Sequence, residues 1–250
     1  SPEETNPLFL QSMNTKITQL GTGGISSNSA RNNFSARSLA PGSISRIDPI
    51  ETPESGNIGF VEHLTQSAEI KDKTIVTKLY KVKNSEAKVT DSNMVKLSPH
   101  DEYSKKVAFN DPRYVSYDKG SYRLIKPSVM GRFQGKISEI PASEIEFIDE
   151  KPQSVLGVTA SMIPFVSHDD GNRALMGAAM QKQAILLKNR EVPLVSSLAD
   201  IKDSKTYEEV VGQEYGKPVY SKINGTVKKA EKGVVIITDS ENKDHKYTYY

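Results

Sequence analysis

Arg173 and the residues just before it carry the chain's densest chemical signal. His168, Asp169 and Asp170 run straight into Gly171, Asn172 and Arg173, so an imidazole, two carboxylates, an amide and a guanidinium are crowded together. Imidazole and carboxylate are suitable metal donors, and a free-standing metal-dependent phosphohydrolase could be built on His168, Asp169 and Asp170. Adjacent residues at a helix start seldom converge on one ion, however, and Asp there serves equally well as a cap. Arg173 admits two readings. A cation in the first turn of a helix lies near its positive end, where it is disfavoured unless an anion offsets it. Either Asp169 or Asp170 pairs with it, or a bound phosphate does.

Two further constellations are weaker. Glu51 and Glu54 in IETPES could resemble a two-carboxylate acid/base pair, but Pro53 between them suits a kinked, helix-starting turn as well. Gly21-Thr22-Gly23-Gly24 has neither the spacing nor the Lys of a phosphate loop and reads as a turn. Residues 5–47 hold the basic side chains Lys16, Arg31, Arg37 and Arg46 and no acid. Like charges left unpaired on one loop need open water or an anionic partner such as a nucleic-acid backbone, so a non-catalytic nucleic-acid-binding module is a second reading of this stretch.

Arg173 needs a helix beneath it. The run HDDGNRALMGAAMQKQAILLKNR places acids first and bases last, with Ala174, Leu175, Ala178 and Ile185 at roughly helical spacing, and Asp169 or Asp170 as cap. Ahead of it, QSVLGVTASMIPFVS is uncharged and nearly all apolar, which predicts a buried strand or short helix. A first helix is expected within residues 6–20, ending at the glycine turn, followed by a long exposed loop with no hydrophobic period. GFVEHLTQSAEI suggests another helix. TIVTKLYKV, YVSYD, SYRLI and EIEFI alternate as strands do, and residues 217–250 hold two or three more around Asn224-Gly225 and Lys232-Gly233. The expectation is an α+β chain of β-rich lobes with a few helices, divided at 1–70, 71–150 and 151–250.

Composition excludes several classes. With no cysteine there is no disulfide framework and no thiolate nucleophile or ligand. Thirty-three basic against thirty-one acidic residues leave a net charge of +2, so no bulk field draws the chain to nucleic acid or membrane. The hydrophobic fraction of 36% falls below the roughly 45–50% apolar usage of typical domains and the mean hydropathy is −0.51, so much surface stays wet or meets polar partners. No run approaches the roughly 18 apolar residues of a membrane span, and the opening residues lack signal-peptide order. A cytoplasmic chain is expected.

The longer strings point to a family. Asn6-Pro7-Leu8, LGTGG at 20–24, RIDPIETPESGNIG at 46–59 and ASMIPFVSHDDGNRALMGAAMQKQA at 160–184 resemble, in this order, the middle of the β subunit of bacterial-type multisubunit RNA polymerase. The resemblance covers most of the chain, weakly between about 70 and 140. It implies part of the fork and the start of the β-subunit barrel. Residues 21–46 would be the second fork loop, with Arg31, Arg37, Arg46 and Lys16 meeting DNA or RNA. Arg173 would meet the phosphates of the incoming nucleoside triphosphate, with Asp170 and Asn172 beside it, and Gln183 would lie near the RNA backbone. Glu3, Met13, Thr18 and Leu20 would be equivalents of the rifamycin pocket. Met13, Lys16 and Thr18 stand where the family has His, Arg and Ser, and Ala179 where it has Asn.

By the same resemblance no catalytic residue belongs to this chain. Mg²⁺ would be held mainly by a partner β′-type subunit, whose triple-aspartate motif does not occur here, and none by this chain alone. The other partners implied are the rest of β, a DNA template, an RNA transcript and nucleoside triphosphates. Family β subunits continue well past this length, which suggests a naturally split subunit or an excerpt of a longer one. A large-phage enzyme acting in the host cytoplasm is one source; a divergent organellar or reduced bacterial enzyme is another.

Overall fold

The computed structural model describes residues 5–30, 32–191, 198–200, 205–206, 209 and 221–248. Helix α1 (Pro7–Thr15) begins where Asn6 Oδ1 accepts from the Phe9 amide at 2.9 Å and Pro7 presets the first helical φ. It ends before the expected glycine turn, because the backbone becomes extended at Lys16 and forms β1 (Lys16–Thr18) against β2 (Val61–His63). Helix α2 (Ser27–Ala30) and one-turn 3₁₀ segments at Ser35–Arg37 and Pro41–Ser43 come next. The stretch expected as a plain loop is thus pinned by turns, with Ala30 buried.

The helix expected at GFVEHLTQSAEI is not formed. Residues 61–63 pair with β1, and β3 (Ala68–Lys71) pairs with β4 (Thr74–Lys81). A short apolar run does not distinguish helix from strand, and cross-strand partners decided for strand. The expected lobe then unfolds as β5 (Glu86–Lys88), β6 (Met94–Leu97), α3 (Pro99–Tyr103), β7 (Val107–Ala108), β8 (Val115–Asp118), β9 (Ser121–Leu124), β10 (Ser128–Phe133), β11 (Lys136–Pro141) and β12 (Phe147–Asp149).

Seven of these strands share a sheet ordered β11-β10-β7-β12-β4-β3, with β6 also on β4; only β7 and β12 run parallel. A small β5-β9-β8 sheet packs nearby. Tyr80, Ala108, Val129, Ile140 and Ile148 of the large sheet and Ala87, Val115 and Leu124 of the small one form one apolar core. Adjacent strand residues face opposite ways, so the burial of both Leu79 and Tyr80 means both faces of β4 are covered.

The apolar run after β12 folds as a 3₁₀ turn (Pro152–Val155) and helix α4 (Val158–Ser161), every residue of which is buried. Helix α5 (Gly171–Gln183) rests on α4 and α1 through Ala174, Leu175 and Ala178. Ile185 lies beyond its end and is exposed.

The chain divides into two compact units, Ser1–Arg190 and Glu191–Tyr250. Residues 151–190 therefore pack with the first unit, whereas the sequence pattern groups them with residues 191–250. In the second unit β13 (Leu198–Asp200) pairs with β14 (Lys205–Thr206), and β15 (Gly225–Glu231), β16 (Val234–Asp239) and β17 (Asp244–Thr248) form an antiparallel meander. Gly233, at φ +85°, turns the first hairpin.

Candidate functional site

Asp170 occupies the position before α5, but its side chain makes no capping bond, against expectation. Arg173, one turn further, is exposed. Neither Asp169 nor Asp170 pairs with it; its contact is Nη1 to Met176 Sδ at 3.4 Å, a weak acceptor. Of the two sequence readings, the internal salt bridge is the one the structure does not form. The Arg173 guanidinium is thus exposed at the positive end of a helix with no carboxylate partner among the described residues.

Helix α5 fixes the other candidate too. Gln183, its last residue, is exposed, and ten residues at about 1.5 Å each place it roughly 15 Å along the axis from Arg173. Lys16 and Thr18 fall on the exposed side of β1 and Met13 is exposed on α1. Thr18 Oγ1 accepts from the Leu20 amide at 3.1 Å. Glu3 and Arg31 lie outside the described residues.

A cavity of about 630 Å³ brings together three stretches the sequence kept apart: Arg37 and Leu39, the run from Asp48 to Thr52 with Glu62, and Asp170, Gly171 and Asn172. Asp170 and Asn172 share its wall, while Arg173 is not among the lining residues. Burial pushes Asp48 up to about 6, even though its oxygens accept from the Ile50 and Gly157 amides at 2.9 Å. Burial raises Glu62 as well. Three carboxyls against one guanidinium make this cavity a poor host for an anion.

Two of the arginines expected on nucleic acid are committed to the protein itself. Arg46 is 1% exposed, with Nη2 donating to Leu97 O at 2.9 Å and to Glu102 at 2.7 Å, and Nη1 to Gly42 O at 3.2 Å. It cannot reach a phosphate from there, and the expectation is corrected: Arg46 joins a buried chain of alternating charges, Arg46, Glu102, Arg132 and Asp149. Burial pushes the Glu102 carboxyl up, but Arg132 and Arg46 outweigh it and hold it low. Burial would likewise depress Arg132, yet Asp149 and Glu102 keep it above the ordinary arginine value.

Arg37 donates to the Gly56, Ile58 and Ala30 carbonyls at 2.9, 2.7 and 3.1 Å and lies 4.4 Å over the Phe60 ring. It staples its loop to the turn ahead of β2. Gly59 makes this possible, since at φ +73° it sits where an added Cβ would lie 2.7 Å from Arg37 O.

The pattern of metal donors fails geometrically. His168 lines a different cavity, with Asp111, Arg113 and Gln153, from the one Asp170 borders. Among the described residues no group of three or more His, Cys, Asp or Glu is gathered for a metal ion.

Sequence reasoning missed a cluster behind α5. Glu51, 3% exposed, accepts from Ser12 Oγ at 2.7 Å and Lys182 Nζ at 2.9 Å, with His63 Nε2 at 3.7 Å. Burial pushes His63 below its usual value although Glu51 pulls the other way. Asn6 Nδ2 lies 2.9, 3.1 and 2.8 Å from the Gln181, Lys182 and Ala184 carbonyls. The Asn-Pro step marked a helix start, but nothing in sequence spacing links residue 6 to residue 182.

Comparison with known proteins agrees with this architecture. Residues 2–70 match the model of RNA polymerase Rpb2, domain 3. The chain is 32% identical over 249 residues to the DNA-directed RNA polymerase subunit beta of Prochlorococcus marinus (strain NATL1A), covering 99% of this chain and 21% of that one. Against the same subunit of Chlorobaculum tepidum it is 35% identical over 212 residues, covering 85% and 16%, and against that of Synechococcus sp. (strain WH7803) 30% over 246 residues, covering 98% and 21%. The chain spans about a fifth of the length of these relatives. The exposed start of α5 and the stapled loop before β2 therefore belong to a β-type segment of the multisubunit RNA polymerase family.

Proposed function

We propose that this chain is the part of a β-type subunit that lines the active centre and downstream fork of a DNA-dependent RNA polymerase, and that it is inactive alone. The observation that carries the reading is Arg173: an exposed guanidinium in the first turn of α5, with Met176 Sδ as its contact and neither neighbouring aspartate paired to it. Such a group binds the phosphates of an incoming nucleoside triphosphate and stabilises charge as it develops on them. Asn172 and Asp170 shape the adjoining cavity, and Gln183, farther along the same helix, faces the RNA backbone.

Lys16, exposed on β1, positions nucleic-acid phosphates, contacts that carry no sequence information; Arg31, outside the described residues, keeps the role its sequence implies. Arg37 retains one Nη2 hydrogen beyond those given to carbonyls, so its role there is secondary. Among the described residues no group is gathered that would hold magnesium, and the ion is assigned to a partner β′-type subunit, where it would supply the Lewis-acid polarisation of nucleotidyl transfer. The partners are that subunit, the rest of β, template, transcript and nucleoside triphosphates. A split subunit of a large phage, working in the host cytoplasm, remains the source favoured by the Lys/Asn/Ser-rich composition. Among the described residues no helix is long and apolar enough to cross a membrane.

Isolation of the native complex through a tag on this chain tests the reading. Co-elution with larger β- and β′-type polypeptides and template-dependent RNA synthesis is the expected result. A chain that elutes alone, from a fraction that synthesises no RNA, contradicts it.

A further inference from the structure

We propose that Asn6 and Glu51 are positioning residues that set the placement of Arg173 by gripping the opposite end of α5; the inference rests on the role given to Arg173 above. The N-terminal end of α5 is held by apolar packing of Ala174 and Leu175 alone, since Asp170 makes no capping bond and Arg173 has no carboxylate partner among the described residues. The last carbonyls of a helix have no partners within it, and here two of them, with the carbonyl of the residue just past the end, are met by one side chain. The Asn6 amide, 7% exposed, serves the Gln181, Lys182 and Ala184 carbonyls while its Oδ1 caps α1 through the Phe9 amide.

Glu51 repeats the connection between the same two helices. It accepts from Ser12 of α1 and from Lys182 of α5. A cation in the last turn also complements the helix dipole. The polar ties thus lie at one end of α5, about 15 Å from Arg173, and over that length a tilt of about 4° moves the guanidinium by about 1 Å. Misplacement of that size can cost about 100-fold in rate.

The discriminating experiment is a double-mutant cycle in the assembled polymerase, reading KM for nucleoside triphosphate and kcat separately. Asn6→Asp keeps the acceptor that caps α1 and removes the donor to α5. The expected result is a roughly 10-fold or greater loss in kcat/KM that disappears in an Arg173→Ala background. Glu51→Gln, which keeps the Ser12 bond and weakens the hold on Lys182, gives the same non-additive pattern, and it carries the comparison if Asn6→Asp fails to assemble. If Arg173→Ala is impaired and either variant still adds its full factor to it, the inference falls alone. An Arg173→Ala enzyme with unchanged kinetics overturns the functional reading and this inference with it.

Discussion

Arg132 on β10 and Asp149 on β12 meet as a two-pronged pair, Nη1 to Oδ2 at 2.8 Å and Nη2 to Oδ1 at 2.9 Å, both side chains buried. Glu102 bonds the Nε of Arg132 and passes the chain of charges on to Arg46. The lobe is thereby tied to the segment that precedes β2.

Breaking that pair leaves a charge in the interior. Asp149→Ala should destabilise the chain by about 3–5 kcal/mol, read as a fall in the denaturant midpoint with an unchanged slope. A loss under about 1 kcal/mol would mean that the site is wetter than the structure shows.

Asp48 predicts a pH dependence. Its folded pKa, pushed up to about 6 from 3.8 by burial, lies above the unfolded value, so its protonated form favours the fold below about pH 4. That contribution is lost as pH rises through 6; by linkage it amounts to about 3 kcal/mol. NMR titration of the Asp48 carboxyl should give a midpoint near 6, and a midpoint below 4.5 would refute the assignment.

Gly59→Ala places a methyl at φ +73° against the Arg37 carbonyl. A cost of about 1–3 kcal/mol is expected, concentrated locally: amide exchange should accelerate at residues 30–37 and 56–60 while the lobe core is unchanged. Uniform acceleration would show that the staple is not a separate element.

The residues that the sequence resemblance places at a rifamycin pocket lack several polar partners. Met13 and Ala179 offer no donor, and Thr18 directs its acceptor to the Leu20 amide. Transcription by the assembled enzyme should persist at rifampicin concentrations that stop enzymes carrying the family's His and Asn. Arrest at low rifampicin would count against this.

Much of the fold was legible where a pattern ran long enough: α5, β4, β8, β9 and the strands of the closing meander form where the sequence places them. Residues 59–70 misled because a short apolar run fits both periods, and only the partners β1 and β4 settle it. Arg173 could be singled out from its place in a helix. Arg46 could not be separated from Arg31 by local charge, because its acid, Glu102, is 56 residues away. The Asn6 contact with α5 spans still more chain, beyond any local rule.

The proposed function stands or falls on the Arg173 guanidinium. Single-nucleotide addition at limiting nucleoside triphosphate, compared between the unaltered assembled enzyme and Arg173→Ala, tests it most directly. Loss of one charge-assisted contact predicts roughly a 10- to 100-fold fall in kcat/KM, partly restored in Arg173→Lys; unchanged rates at limiting nucleotide would contradict the account.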